Sequence, residues 1–232
     1  MATDRDASES ALRQVQIAVF AKAPVPGLVK TRLIPALDAA AAARLQRQMT
    51  RATLAGALQA ELGPVTLWCA PDTQQRFFRA LHKTTGMHCR PQPEGDLGQR
   101  MLSAFEWHCR HSPLLLVGTD CPALQPSHLR AAAKALLAGA DAVFHPTEDG
   151  GYALIGLHQA QPCLFTNMPW STAEVMQETR TRASSGGLRL CELETLWDVD
   201  LPSDLPRLYA LEQHRGERSE TRFNHPARTQ WP

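Results

Sequence analysis

Ala21-Lys-Ala-Pro-Val-Pro-Gly-Leu-Val-Lys-Thr-Arg-Leu33 places three cations, Lys22, Lys30 and Arg32, directly after the short apolar run Val15–Phe20. A run of that length bounded by Pro and Gly reads as a buried strand, and the basic segment as the loop at its carboxyl end. In open α/β sheets, ligands bind outside the carboxyl ends of the strands. A loop stiffened by Pro24 and Pro26, turned at Gly27 and carrying Lys22, Lys30 and Arg32 is therefore suited to an anion, and a nucleotide phosphate is the expected guest.

Outward from that loop the chain repeats one pattern. The long Ala-rich segment Asp38–Leu62 reads as a helix with Asp38 as N-cap and an apolar face of Leu45, Met49, Leu54, Leu58 and Leu62. Strand-like Val65–Cys69, Met87–Cys89 and Leu114–Val117 are each followed by a helical pattern, at Gln74–Lys83, Leu97–Arg110 and Ser127–Ala138. Repeated β-then-α units predict a doubly wound, mainly parallel sheet with helices on both faces. The alternation then breaks. Ala142–Phe144 and Tyr152–Leu157 flank a Gly150-Gly151 turn and predict an antiparallel excursion. Ser171-Thr-Ala-Glu174 has capping-box spacing for a helix through Arg182, a last strand lies near Leu188–Cys191, and a final helix starts near Ser203.

With 232 residues and 44% apolar content, one core is expected, over residues 14–211. Residues 1–13 and 212–232 are polar and aperiodic and read as unstructured tails. Lys and Arg number 24 against 23 Asp and Glu, a net charge of +1, so no broad basic footprint for nucleic acid is present and any basic site is local. The six cysteines contain no Cys-x-x-Cys pair, and no run approaches a membrane span, so a cytoplasmic protein with reduced thiols and no membrane partner is expected.

Three acidic groupings lie where the loops of such a sheet would fall. In Gly118-Thr-Asp-Cys-Pro122, Asp120 stands just beyond a buried strand; Asp198-Val-Asp200 sets two carboxylates on one side if extended. Hard oxygens of this kind suit Mg²⁺ or Mn²⁺ shared with phosphates, although the same residues also read as a helix cap and an acidic turn. Glu148-Asp-Gly-Gly-Tyr152 would present a carboxylate to an acceptor hydroxyl, or serve only as a hairpin turn. Glu94-Gly-Asp-Leu-Gly-Gln-Arg100 reads as a helix start whose Gly95 or Gly98 could offer N–H groups to a base or ribose. His108 to His111 read as a solvated helix end, and Trp170 as a buried aromatic or an acceptor-pocket wall. The first loop is no Walker sequence, because Val29 precedes Lys30 where glycine is required.

Together, Ala21–Leu33, Glu94–Gly98, Gly118–Pro122, Glu148–Tyr152, Met168–Thr172 and Asp198–Asp200 resemble the DUF2064 family over about residues 15–210. That family is described as glycosyltransferase-A-like, and some members are named in connection with arsenosugar biosynthesis. The resemblance implies a three-layer, Rossmann-like nucleotide-diphospho-sugar transferase (GT-A) fold, related to molybdopterin-guanine-dinucleotide and phospholactate guanylyltransferase enzymes. It implies that Lys22, Gly27, Lys30, Arg32, Glu94 and Gly98 hold nucleotide and phosphates. It also implies that Asp120, Asp198 and Asp200 contact Mg²⁺ or Mn²⁺, that Lys30 and Arg32 act on the leaving diphosphate, and that Asp149 faces the acceptor. The chain departs from the common Asp-x-Asp by having Gly118 at the first position, and from the Gly-rich first loop of nucleotidyltransferases by having Pro24 and Pro26. The expected activity is metal-dependent glycosyl transfer from a nucleotide-diphosphate sugar to a small acceptor. The alternatives are nucleotidyl transfer from a nucleoside triphosphate to a phosphorylated molecule, and nucleotide binding without chemistry.

Overall fold

Strand Gln16–Lys22 (β1) buries both of its faces, as a central parallel strand must, with Ile17 and Val19 on one side and Ala18 and Phe20 on the other. It belongs to a computed structural model that describes the backbone of residues 2–223 and the side chains of residues 6–214. The other strands are Val65–Ala70 (β2), His88–Pro91 (β3), Leu114–Val117 (β4), Ala142–Pro146 (β5), Tyr152–Leu157 (β6) and Leu190–Glu192 (β7). They form one sheet in the order β3-β2-β1-β4-β6-β5-β7. Only β6 runs against its neighbours β4 and β5, which is the predicted excursion around Gly150-Gly151. The carboxyl ends of β1, β4, β5 and β7 therefore share one edge of the sheet with the turn that enters β6.

Helices cover both faces, giving three layers. On one face Ala39–Gln59 (α2), Arg76–Thr85 (α3) and Pro126–Leu137 (α5) press Leu54, Phe78 and Leu129 onto Ile17, Leu67 and Leu115. On the other, Leu97–His108 (α4) and Val175–Ser185 (α6) set Phe105 and Met176 against Phe20, Leu116 and Phe144. Asp38 caps α2 as expected, its carboxylate accepting from the Ala41 N–H at 2.6 Å. Leu58 is the exception on its predicted face, because α2 buries Ala57 at that turn and leaves Leu58 55% exposed.

Three sequence expectations are corrected. Residues Ala2–Leu12 form a helix (α1) instead of a tail, because Leu12 enters the core and Glu9 pairs with Arg130 of α5 at 2.5 Å. The last helix, Leu205–Phe223 (α7), runs through the segment from 212 read as a tail. Its start is docked by Leu205 and Leu208 beside α2, and 224–232 lie outside the described residues. Helix α6 starts at Val175, past the expected cap. Ser171 has a positive φ of 65°, and the Thr172 hydroxyl donates to the Pro169 carbonyl, making a turn before the helix. Among the described residues, no helix is long and apolar enough to cross a membrane.

Candidate active site

The loop after β1 enters by a tight turn. The Leu28 N–H donates to the Val25 carbonyl at 3.0 Å, with Pro26 and Gly27 between them and Gly27 at φ +80°, the conformation that a type II turn reserves for glycine. Lys30 follows in a left-handed conformation, φ 49° and ψ 38°, and opens a single 3₁₀ turn, Thr31–Leu33. Leu33 then anchors the loop in a small core with Leu45 and Met49 of α2, Trp197, Val199, and Leu205 of α7. The basic loop and the acidic 197–200 segment thus stand on one apolar floor.

On that floor Lys30 is almost fully buried, with its side chain 4% exposed. Its Nζ donates to the Val199 carbonyl and meets Asp120 Oδ1, each at 2.5 Å, and lies 3.7 Å from Asp200 Oδ1. Arg32 reaches Asp200 Oδ2 at 3.3 Å from the exposed side. Asp120 keeps about half its side chain (51%) in contact with solvent. Asp198 completes the group: burial pushes its carboxyl up to about 6, and the nearby charges of Asp149, Asp200 and Asp120 add to that rise. Four carboxylates therefore face two cations, Lys30 and Arg32, leaving two negative charges in excess.

The acidic positions are fixed by contacts that no local spacing discloses. Gln46, buried in α2, donates to the Thr119 hydroxyl at 2.9 Å, and the Val199 N–H donates to the Asp120 carbonyl at 2.9 Å. Asp204 holds the Asp200 and Leu201 N–H groups. Asp149 Oδ1 accepts from the Thr147 hydroxyl and the Gly151 N–H, which leaves its second oxygen for another donor. Beside it, Arg207 of α7 donates to Glu148 at 2.8 Å and lies 4.4 Å over the Trp197 ring. Gln46, Thr119, Thr147, Trp197, Asp204 and Arg207 were all missed from the sequence. Each acts through a partner distant in the chain or through a backbone turn.

The remaining predicted residues stand differently. Lys22 ends β1 exposed and makes none of the cluster's ion pairs among the described residues. Gly27 lies in the turn, where an added Cβ would meet only open space and the positive φ alone selects glycine. Glu94 is exposed before α4. Gly98 is buried: a Cβ there would stand 2.4 Å from the Phe165 carbonyl oxygen and 2.8 Å from Trp170 Nε1, so close packing explains this glycine. Its neighbour Asp96 caps α4 in a reciprocal box with Gln99. Trp170 is half-buried and packs edge-on against Tyr152 at the edge of the core. No group of three or more His, Cys, Asp or Glu side chains among the described residues is arranged to hold a metal ion, so Asp120, Asp198 and Asp200 do not form a ready-made cage.

The solved structures that this chain is similar to share its fold. A Desulfovibrio desulfuricans G20 protein, named as a candidate nucleotide-diphospho-sugar transferase, superposes with a TM-score of 0.75 and is 27% identical, over 81% of this chain and 83% of that one. A 4-diphosphocytidyl-2C-methyl-D-erythritol synthase from Anaerococcus prevotii DSM 20548 gives a TM-score of 0.56 at 9% identity, over 87% of this chain and 99% of that one. The inositol-1-phosphate CTP transferase of T. maritima gives 0.54 at 8% identity, over 83% of this chain and 91% of that one. No curated protein matches the chain. At the sequence level, residues 53–172, just over half of the chain and including the Asp120 and Asp149 blocks, match the family described as "uncharacterized protein conserved in bacteria", and the chain therefore belongs to DUF2064.

Proposed function

We propose that this protein is an enzyme that transfers a sugar from a nucleotide-diphosphate donor to a small acceptor. The observation that carries the reading is Lys30, a nearly buried ammonium held at the sheet's carboxyl edge by Asp120 and Asp200. An ammonium so placed, with Arg32 beside it, can exchange its carboxylate partners for the phosphates of an arriving diphosphate. The Desulfovibrio relative, the most similar in identity of those described, is named for nucleotide-diphospho-sugars, which favours that donor class.

In the proposed reaction the bond between the sugar's anomeric carbon and the diphosphate oxygen breaks, its electron pair leaving with the nucleoside diphosphate. An acceptor hydroxyl forms the new bond, and its proton passes to the free oxygen of Asp149. Lys30 and Arg32 neutralise charge growing on the leaving group. The donor set also fits a divalent cation in its chemistry: hard oxygens and an excess of two negative charges. Mg²⁺ commonly takes one or two carboxylates and completes its shell with substrate phosphates and water, so a preassembled cage is not required. Asp120, with Asp198 or Asp200, would hold it, and when bound it would supply further charge neutralisation at the diphosphate.

The test follows the leaving group. Purified protein is incubated with Mg²⁺ or Mn²⁺, panels of nucleotide-diphosphate sugars or nucleoside triphosphates, and hydroxyl-bearing or phosphorylated acceptors. Release of a nucleoside diphosphate is expected. Release of pyrophosphate from a triphosphate would instead establish nucleotidyl transfer on the same residues. Binding of nucleotides with no release across the panel would point to a binding protein.

A further inference from the structure

At the β3 edge of the sheet, α3 and β3 border an open cavity of about 800 Å³. Its walls carry Arg76, Arg79, His82, Lys83 and His88, and none of its lining residues is acidic. The sequence of α3 explains how these charges gather. Arg-Phe-Phe-Arg-Ala-Leu-His-Lys-Thr-Thr puts Phe77, Phe78 and Leu81 into the core, while Arg76, Arg79 and Lys83, at i, i+3 and i+7, share the outer flank. Among the described residues none of the three enters an ion pair. Asp72, in the turn before the helix, is occupied by the Gln74 N–H and the Gln75 side chain. The first turn of α3 holds no acid, and Gln75 makes no side-chain cap bond, so this helix end adds positive potential to the same cavity.

We infer that this cavity is a second anion site, one that takes a small molecule carrying a di- or triphosphate. Arg76, Arg79, Lys83 and two histidines line a space of the size usual for small-molecule sites. A polymeric polyanion is disfavoured because a net charge of only +1 offers no broad basic footprint beyond local groups such as this one. No lining residue belongs to the Lys30 cluster. The cavity is thus a site for an effector or a second phosphorylated ligand, and it does not depend on the proposed transfer reaction.

Titration calorimetry with inorganic tripolyphosphate, in low-salt, phosphate-free buffer, tests this directly. The Lys30→Ala protein, its transfer site weakened, should still bind one tripolyphosphate per chain. Adding Arg79→Gln and Lys83→Gln to that background should raise Kd at least tenfold, whereas Arg79→Lys with Lys83→Arg should preserve binding. Arg79 and Lys83 are exposed, and melting curves check that each variant is folded. Absence of binding to the Lys30→Ala protein, or equal binding with and without Arg79→Gln/Lys83→Gln, overturns the assignment. So does a single-stranded oligonucleotide that displaces tripolyphosphate with a steep salt dependence, since that would mark a nucleic-acid surface.

Discussion

Lys30 combines two costly features: a left-handed backbone on a residue with a Cβ, and an ammonium withdrawn from water. Such features persist where the surroundings over-determine them, and here Asp120, Asp200 and the Val199 carbonyl do so. Lys30→Ala should lower kcat/KM of the transfer reaction by about 100-fold or more. It should also destabilise the fold by about 1–3 kcal/mol in urea unfolding, because Asp120 and the Val199 carbonyl lose their partner. Asp198 carries a second testable consequence. Its folded-state value, about 6, exceeds the ordinary carboxylate value, so between about pH 4 and pH 6 the folded chain holds a proton that the unfolded chain has released. The contribution of this group to stability therefore falls as pH rises through that window and remains lost above it. Asp198→Asn should stabilise the protein by about 1 kcal/mol at pH 7.5, a value discounted for the carboxyl's partial exposure. The gain should vanish near pH 4, and thermal melts of both proteins across that range would show it.

At the scale of elements, strands and helices were legible where burial is two-sided or a cap is local. Leu114–Val117 and Tyr152–Leu157 have the extents expected from their apolar runs, and Asp38 announces α2 by its own side chain. Helix α1 was not legible, because its anchors, Leu12 in the core and Glu9 on Arg130, are supplied by distant parts of the chain. His108 misled in the same way. The polar neighbours suggested a solvated end, yet the ring is 1% exposed, accepts from Trp68 Nε1 at 3.3 Å and donates from Nδ1 to Gln16 Oε1 at 2.8 Å, tying α4 to β1 and β2. Burial, aided by Arg90 and His88, pulls its pKa down to about 4. The stability it contributes is present above the ordinary histidine range and is lost as pH falls from about 6.5 toward 4. In NMR titrations its ring signals should stay unshifted until the pH drops below 5. Of the acidic blocks, the sequence disclosed which carboxylates meet at the sheet edge, but not the Gln46, Asp204 and Arg207 contacts that hold them. Gly150 shows how tightly one block is bound to its neighbour: with φ +89°, a Cβ would stand 2.1 Å from the Ala173 carbonyl oxygen. Gly150→Ala should cost about 2–4 kcal/mol, read from urea unfolding, by pushing the Asp149 turn off the start of α6.

For the whole molecule, the proposed donor should behave as a folding ligand. A nucleotide-diphosphate sugar at about 100 times its Kd, with Mg²⁺, should add about 2.7 kcal/mol and raise Tm by roughly 5–10 °C. Chelation of the metal should reverse most of that rise. A shift that is the same with and without Mg²⁺ would remove the metal from the proposal and leave Lys30 and Arg32 as the phosphate's cations. The bond from Lys30 to the Val199 carbonyl spans 169 residues, joining the first fifth of the chain to the last. During synthesis the lysine is made early and its seat very late, so a nascent chain cannot assemble the proposed phosphate site until nearly all of it has left the ribosome. Translation intermediates ending before residue 199 should carry a formed β1 and α2 and yet show no Mg²⁺-dependent retention of a nucleotide-diphosphate sugar, whatever the α3 cavity holds.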